Sequence, residues 1–431
     1  MHLDELLSTP VEPITKGWPA GGASLPLGDI GKQGWSLRNQ DLALPALVLK
    51  DSAIRHNSAW MRAFLERHDV QLCPHGKTTM APQLFARQLE DGAFGITVAT
   101  VQQMRVCRHF GVPRVLMANQ LVGRQAIREV LSALESDAGF DFYCLVDSVD
   151  GVHLLDKEVR AFGGVPTLQL LLEGGIEGRR TGCRSVADAL EVARAVAEAP
   201  GLALRGVEGF EGVFGRDKAG VVADKVQGFL GFLVEIAEAV AAADLFAPGP
   251  VILSAGGSAH FDQVTKTFKA ADLGRKTEVV IRSGCYFSHD SGMYQQAFTD
   301  LDQRSPELAE LGAGLRPAIE VWAHVQSRPE PGRVLATMGK RDVSFDSGLP
   351  VPERWFRPGE HAAPEALSPG HATIALNDQH AFLDVPEDSP LQVGDILTFG
   401  ISHPCTTFDK WQVIYVVDDE DQVIEAVKTF F

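Results

Sequence analysis

The residues best able to do chemistry lie in two places far apart in the chain. The first is Cys73-Pro74-His75-Gly76-Lys77-Thr78-Thr79-Met80, where a lysine stands among small and hydroxylic neighbours. An amine in such a groove can act as nucleophile and then as base, once burial or a nearby cation lowers its proton affinity. The second is Ile401-Ser402-His403-Pro404-Cys405, with an imidazole and a thiol two residues apart. On an extended strand that spacing puts both on one face. The donor types suit zinc. Two protein ligands are too few for a structural site, so the pair fits a metal that keeps positions open for a substrate. His380 is a candidate neighbour.

The elements that must position these groups can be read from hydrophobic runs. Eight strand-like segments alternate with helical ones between residues 70 and 287: VQLCPHGK, FGITVAT, RVLMANQL, DFYCLVDS, PTLQLLLEGG, LRGVEGFEG, PVILSAGG and EVVIRSGCYF. They are apolar along most of their length, as strands buried on both faces are. Intervening segments such as TVQQMRVCRHFG and SVADALEVARAVAEA have helical spacing. Eight units predict a closed (β/α)8 TIM-type barrel in an α/β fold, with an open doubly wound sheet as the rival. The barrel is expected over residues 43–314, including the short strand LPALVLK. An N-terminal arm over 1–42 is expected to pack on the C-terminal β-rich domain. From 315 to 431 the rhythm changes to AIEVWAHVQ, RVLATMGK, TIALNDQHAFL, DILTFG and QVIYVVDD, which predicts a β-rich domain; LPVPERWFRPGEHAAPEALSPG reads as a loop.

In such a barrel the chemistry sits at the C-terminal ends of the strands. Lys77, Asn119, Asp147, Arg180, Phe210 with Glu211, Gly256-Gly257-Ser258 and Ser283-Gly284-Cys285-Tyr286 all fall there. The glycine turns after strands seven and eight offer backbone N–H groups to a phosphate. A phosphate site beside a rim lysine points to pyridoxal 5'-phosphate, bound to Lys77 as an imine.

Together PHGKT, Arg180-Thr181-Gly182, SAGGS, RSGCY and the late HPC resemble the D-serine dehydratase and D-threonine aldolase group. These are pyridoxal phosphate enzymes of the alanine racemase fold (fold type III). The resemblance runs from about residue 40 to the end and is close to bacterial amino acid (D-serine) deaminases. It implies that Lys77 carries the cofactor, that Gly256, Gly257, Ser258, Gly284, Cys285 and Tyr286 hold its phosphate, and that Arg180 and Phe210 lie by its ring. It implies Zn2+ on His403 and Cys405, since aldolases of the group tend to have Asp in place of this Cys. It also implies a head-to-tail homodimer. The expected activity is loss of water from a D-3-hydroxy amino acid such as D-serine or D-threonine, giving a 2-oxo acid and ammonia. Retro-aldol cleavage and a cofactor carrier without catalysis are the alternatives. Two departures bear on substrate choice: many relatives read KTHK where this chain has Lys77-Thr78-Thr79-Met80, and the arm is long for the group.

Composition narrows the partners. A formal net charge of −17 disfavours nucleic acid and anionic membranes. The longest apolar stretch, FLVEIAEAVAAADLFA, carries acidic residues and reads as a packed helix. The acidic start, MHLDELLSTP, lacks the features of a signal peptide. Six scattered cysteines fit reduced thiols, and the cytoplasm is the expected compartment.

Overall fold

Eight apolar runs become eight parallel strands. The computed structural model describes residues 1–163, 167–214 and 219–431. Its barrel strands are Gln71–Leu72, Ile96–Val98, Arg114–Gln120, Asp141–Val146, Leu168–Glu173, Leu202–Glu208, Val251–Ala255 and Thr277–Ile281. (Pro166, which opens the run PTLQLLLEGG, lies outside the described residues.) Each strand pairs in parallel with the next from the second to the eighth, and the eighth pairs with the first. Backbone bonds close the ring: Phe94 N–H donates to Leu72 O at 2.7 Å and Thr97 N–H to Pro74 O at 2.8 Å.

Helices cover the outside. SVADALEVARAVAEA forms the helix Val186–Ala197, started by the Ser185 side chain accepting the Asp188 N–H. TVQQMRVCRHFG forms Val101–His109, capped likewise by Thr100. Their apolar stripes and the outer strand faces share one core. At Gly206 the sixth strand comes so close to the seventh that a β-carbon would sit 2.0 Å from Ile252 O, so no larger residue fits.

The second sheet is antiparallel in the main and holds a surprise. LPALVLK, expected from its sequence to belong with the barrel, instead forms the strand Ala46–Lys50 within this other sheet. It runs antiparallel to Ile319–Glu330 and parallel to Val413–Val417. An apolar run announces a strand but not the sheet it joins. The proline-rich stretch expected to be a loop is also partly strand: Val351–Phe356 pairs with Ile396–Gly400. Its Pro352 sits beside a register shift, where a missing N–H costs the ladder little.

The arm wraps this second sheet. Trp18, Leu27, Ile30 and Leu37 bury with Trp322, Tyr415 and Val417. Trp35 packs edge-on against both Trp18 and Tyr415. All six cysteines are free thiols. Among the described residues no helix is long and apolar enough to cross a membrane.

Candidate active site

The first barrel strand ends at Leu72, and the chain then makes a single 3-10 turn over Gly76–Thr78. That turn delivers Lys77 into a cavity at the barrel mouth. Glu173, Arg180, Glu208, Phe210 and Arg282 line the same cavity with His75. The Arg180 guanidinium lies 5.4 Å from the Phe210 ring centroid. So Lys77, Arg180 and Phe210 come together in one cavity. Asn119 and Asp147 hold backbone instead: Asn119 donates to Ala99 O, and Asp147 accepts the Gly182 N–H.

The floor of the cavity is charged. Arg282, 1 % exposed, donates to Glu208 at 2.9 Å, to Ser254 Oγ and to Gly209 O. Burial pushes the Glu208 carboxyl up to about 7, against the pull of Arg282. Burial raises Glu173 as well, although Gln120 and Thr181 donate to it. His75 is held neutral, its pKa driven well down by desolvation and then by the charges of Lys77, Arg282 and Arg180. Its Nδ1 is buried with no partner. These acids and Arg282 were not singled out in the sequence. The signal was available: a charged residue ending the apolar stretch of a buried strand, as in LLLE and GVE, has to be paired or used.

A folded-state carboxyl pKa raised in this way has a definite thermodynamic sign. Between the usual carboxylate range and about 7, native Glu208 binds its proton and the unfolded chain does not. Stability from this group is therefore present at low pH and lost as pH rises through that window. Glu208→Gln is expected to flatten the fall in melting temperature across it, read by thermal unfolding at a series of pH values. Arg282→Met, which leaves Glu208 buried and unpaired, is expected to cost about 3–5 kcal/mol in denaturant unfolding.

The glycine turns meet as required for anion binding. Gly256, at φ +112°, and Gly257 donate their N–H groups to the two oxygens of Glu211, at 3.0 and 2.7 Å. Gly284 packs against the His75 backbone, where a β-carbon would lie 2.7 Å from His75 O. Ser258 Oγ accepts the Cys285 N–H at 3.1 Å. The Glu211 carboxylate, 1 % exposed, thus stands where a phosphate would lie across two backbone donors. The cradle selects an anion, which is the test a phosphate-bearing cofactor has to pass, and these residues pass it. Tyr286 does not join it through its side chain, which is buried and hydrogen-bonded to Gln88. Cys285 turns its sulfur away from the cradle, toward the second ligand group.

That group departs from what its sequence suggests. His403 and Cys405 are not on a strand. The strand Ile396–Gly400 ends, Pro404 takes helical backbone angles, and Cys405 opens the single helical turn Cys405–Phe408. A proline favours the start of a helical turn, so i and i+2 no longer share a strand face. Asp346 accepts from His403 Nδ1 at 2.7 Å, and Thr406 steadies Asp346. Their partners split the pair against the effect of burial: Cys405 is pulled well down, first by its bond to Cys285, and His403 is raised to about 9, first by its bond to Cys405. Asp346, in the loop FDSG, carried no sequence signal. His380 sits in a hairpin turn between the strands Ala372–Leu376 and Ala381–Asp384, where its backbone carbonyl accepts the Asn377 N–H. Among the described residues, no three His, Cys, Asp or Glu side chains form a closed metal cluster.

The two groups touch within one chain. Thr78 Oγ1, next to the lysine, lies 3.3 Å from Cys405 Sγ. Residues 49–275 match the alanine racemase N-terminal domain family, more than half of the chain, and residues 318–417 match the putative serine dehydratase domain. A D-threonine aldolase from Arthrobacter sp. is 26% identical over 390 residues, covering 89% of this chain and 90% of the relative. The solved D-threonine aldolase of Filomicrobium marinum superposes with a TM-score of 0.73 at 23% identity, covering 92% of this chain and 97% of that one. For the D-threo-3-hydroxyaspartate dehydratase of Delftia sp. HT23 the values are 0.69, 20%, 92% and 99%. Barrel and second sheet are therefore those of a known fold, and the chain belongs to the fold-type III pyridoxal phosphate enzymes, in the group of the D-serine dehydratases and D-threonine aldolases.

Proposed function

We propose that this protein is a pyridoxal phosphate- and zinc-dependent dehydratase that removes water from D-3-hydroxy amino acids such as D-serine or D-threonine, giving a 2-oxo acid and ammonia. The observation that carries the reading is the contact of Thr78 with Cys405, which brings a thiol and imidazole pair beside the lysine. Lys77 would hold the cofactor by its amine, Gly256 and Gly257 its phosphate in place of Glu211, and Phe210 and Arg180 its ring side. When bound, pyridoxal phosphate supplies an electron sink for charge left at Cα. A divalent metal on His403 and Cys405 supplies a Lewis acid for the departing β-oxygen.

The chain's own groups do the rest. Lys77 Nζ, once free, takes the Cα proton. His75, kept neutral beside it, adds no further positive charge to the mouth. Asp346 fixes the His403 ring through Nδ1, which leaves Nε2 to face a ligand. Lys77 comes from the barrel and the donor pair from the other domain, so a substrate held between them is gripped at both its α- and β-positions.

The thiol at 405 favours dehydration over retro-aldol cleavage, the second reading. D-Threonine separates them: 2-oxobutanoate and ammonia are expected, and glycine with acetaldehyde as the main products would overturn the dehydratase. The relatives' names include both reactions, so product analysis decides. The protein is further assigned to the cytoplasm and to a homodimer, to be checked by light scattering.

Glu211 gives a separate expectation. Two anions cannot share two N–H donors, so the cofactor phosphate has to displace this carboxylate. Glu211→Gln weakens the bond being broken, and hydrogen bonds to charged groups contribute about 1.5–3 kcal/mol. Cofactor affinity in the variant is expected to rise roughly tenfold, measured by absorbance titration of the apo protein.

A further inference from the structure

Cys285 has two faces that lead to different places. Its backbone N–H serves the phosphate cradle through Ser258. Its sulfur points elsewhere, 3.9 Å from Cys405 Sγ. Both sulfurs are free thiols, too far apart to be bonded. Thr78 Oγ1 lies 3.3 Å from one and 3.9 Å from the other. The Tyr294 side chain hydrogen-bonds the Cys285 sulfur, and Cys285 is only 4 % exposed.

The spacing between the sulfurs is informative. Two thiolates on one tetrahedral zinc, each at about 2.3 Å, stand about 3.8 Å apart. The pair is already at that separation. The His403 ring bonds the Cys405 sulfur as well, with Asp346 at its Nδ1. Cys405 is thus the middle member of a chain of three donors. Among the described residues the three do not close into a compact cluster, so a metal would have to pull His403 inward. Catalytic zinc sites take three protein ligands and leave the fourth position to water or substrate, and Cys2His is one of the known sets. His403 and Cys405 alone fall one ligand short.

We infer that Cys285 is the third protein ligand, making a Cys285–His403–Cys405 site with one position open to the substrate oxygen. The inference rests on the metal reading above and goes beyond it. It has a geometric corollary. One residue then holds the phosphate cradle by its backbone and the metal by its side chain, so cofactor and metal keep a fixed separation.

X-ray absorption on the zinc-loaded wild-type protein counts sulfur neighbours without any substitution. Two at about 2.3 Å are expected, and one overturns the inference. Cobalt(II) reports the same count through the thiolate-to-metal band in the near ultraviolet. Under reducing conditions, Cys285→Ser is expected to lose roughly half of that band, as does Cys405→Ser, and to bind cobalt about 100-fold more weakly or worse. Cys285→Asp, which keeps a ligand, is expected to regain affinity but not the band. An undiminished band in Cys285→Ser overturns the inference while leaving the metal pair standing. A wild-type protein that takes up neither zinc nor cobalt overturns the inference and the metal reading together.

Discussion

Lys77→Ala should abolish turnover and remove the covalently held cofactor. The side chain reaches the cavity at the end of the first barrel strand, and among the residues lining that cavity it is the one lysine. In the proposed reaction two roles fall together in it, attachment of the cofactor and proton transfer at Cα. Proton transfer by a positioned group is worth about 10²–10⁴-fold on its own. With attachment lost as well, a fall of at least roughly 10⁴-fold in kcat is expected. Two measurements check this. Borohydride should fix the cofactor to wild-type protein and not to the variant, by mass. Added methylamine should restore part of the activity, because it supplies an amine of the missing kind. A Lys77→Ala protein that turned over D-serine within tenfold of wild type would show that another group does this work.

The second large effect is metal removal. Hydroxide leaves poorly, and Lewis-acid assistance is worth several kcal/mol, or about a thousandfold in rate. Thorough chelation should therefore bring dehydration of D-serine down by about that factor. Cofactor absorbance should be largely unchanged, because neither the Lys77 amine nor the Gly256 and Gly257 N–H groups would bind the metal. Exchange of the Cα hydrogen with solvent should survive in part, since the proposal gives that step to the lysine. Zinc should restore full turnover, and full turnover without any metal would remove His403 and Cys405 from the reaction. Asp346→Ala offers an intermediate case: it frees the His403 ring without deleting a ligand, and partners of this kind are worth about 10–100-fold in metal affinity.

Much of the scaffold could be read from the chain because buried parallel strands leave long apolar runs. The barrel strands follow that signal, and the helices Val101–His109 and Val186–Ala197 follow their capping hydroxyls. The same signal misplaced Ala46–Lys50, since hydrophobicity says that a strand is buried but not beside which partner. Val351–Phe356 was hidden by its proline, which here sits by a bulge. At the site, residue types were legible and directions were not. His403 and Cys405 stand together, yet at the start of a helical turn rather than on a strand. Cys285 was read for its backbone, and its sulfur faces the other way. Glu211 was noted as a strand end, while its occupation of the glycine N–H groups is a long-range fact that no local pattern encodes.

The placement of Ala46–Lys50 between Ile319–Glu330 and Val413–Val417 has a consequence for biosynthesis. Val48 waits for Glu320 and Tyr415, neighbours made about 270 and about 370 residues later. Phe430 N–H even reaches back to Met80 O, just past the lysine turn. A chain made only as far as the barrel can thus curl it but cannot finish the wall beside Lys77, and such late, distant pairing slows folding. Removing Thr429–Phe431 would take away the Phe430 N–H bond to Met80 O and so disturb the turn that presents Lys77, some 350 positions upstream.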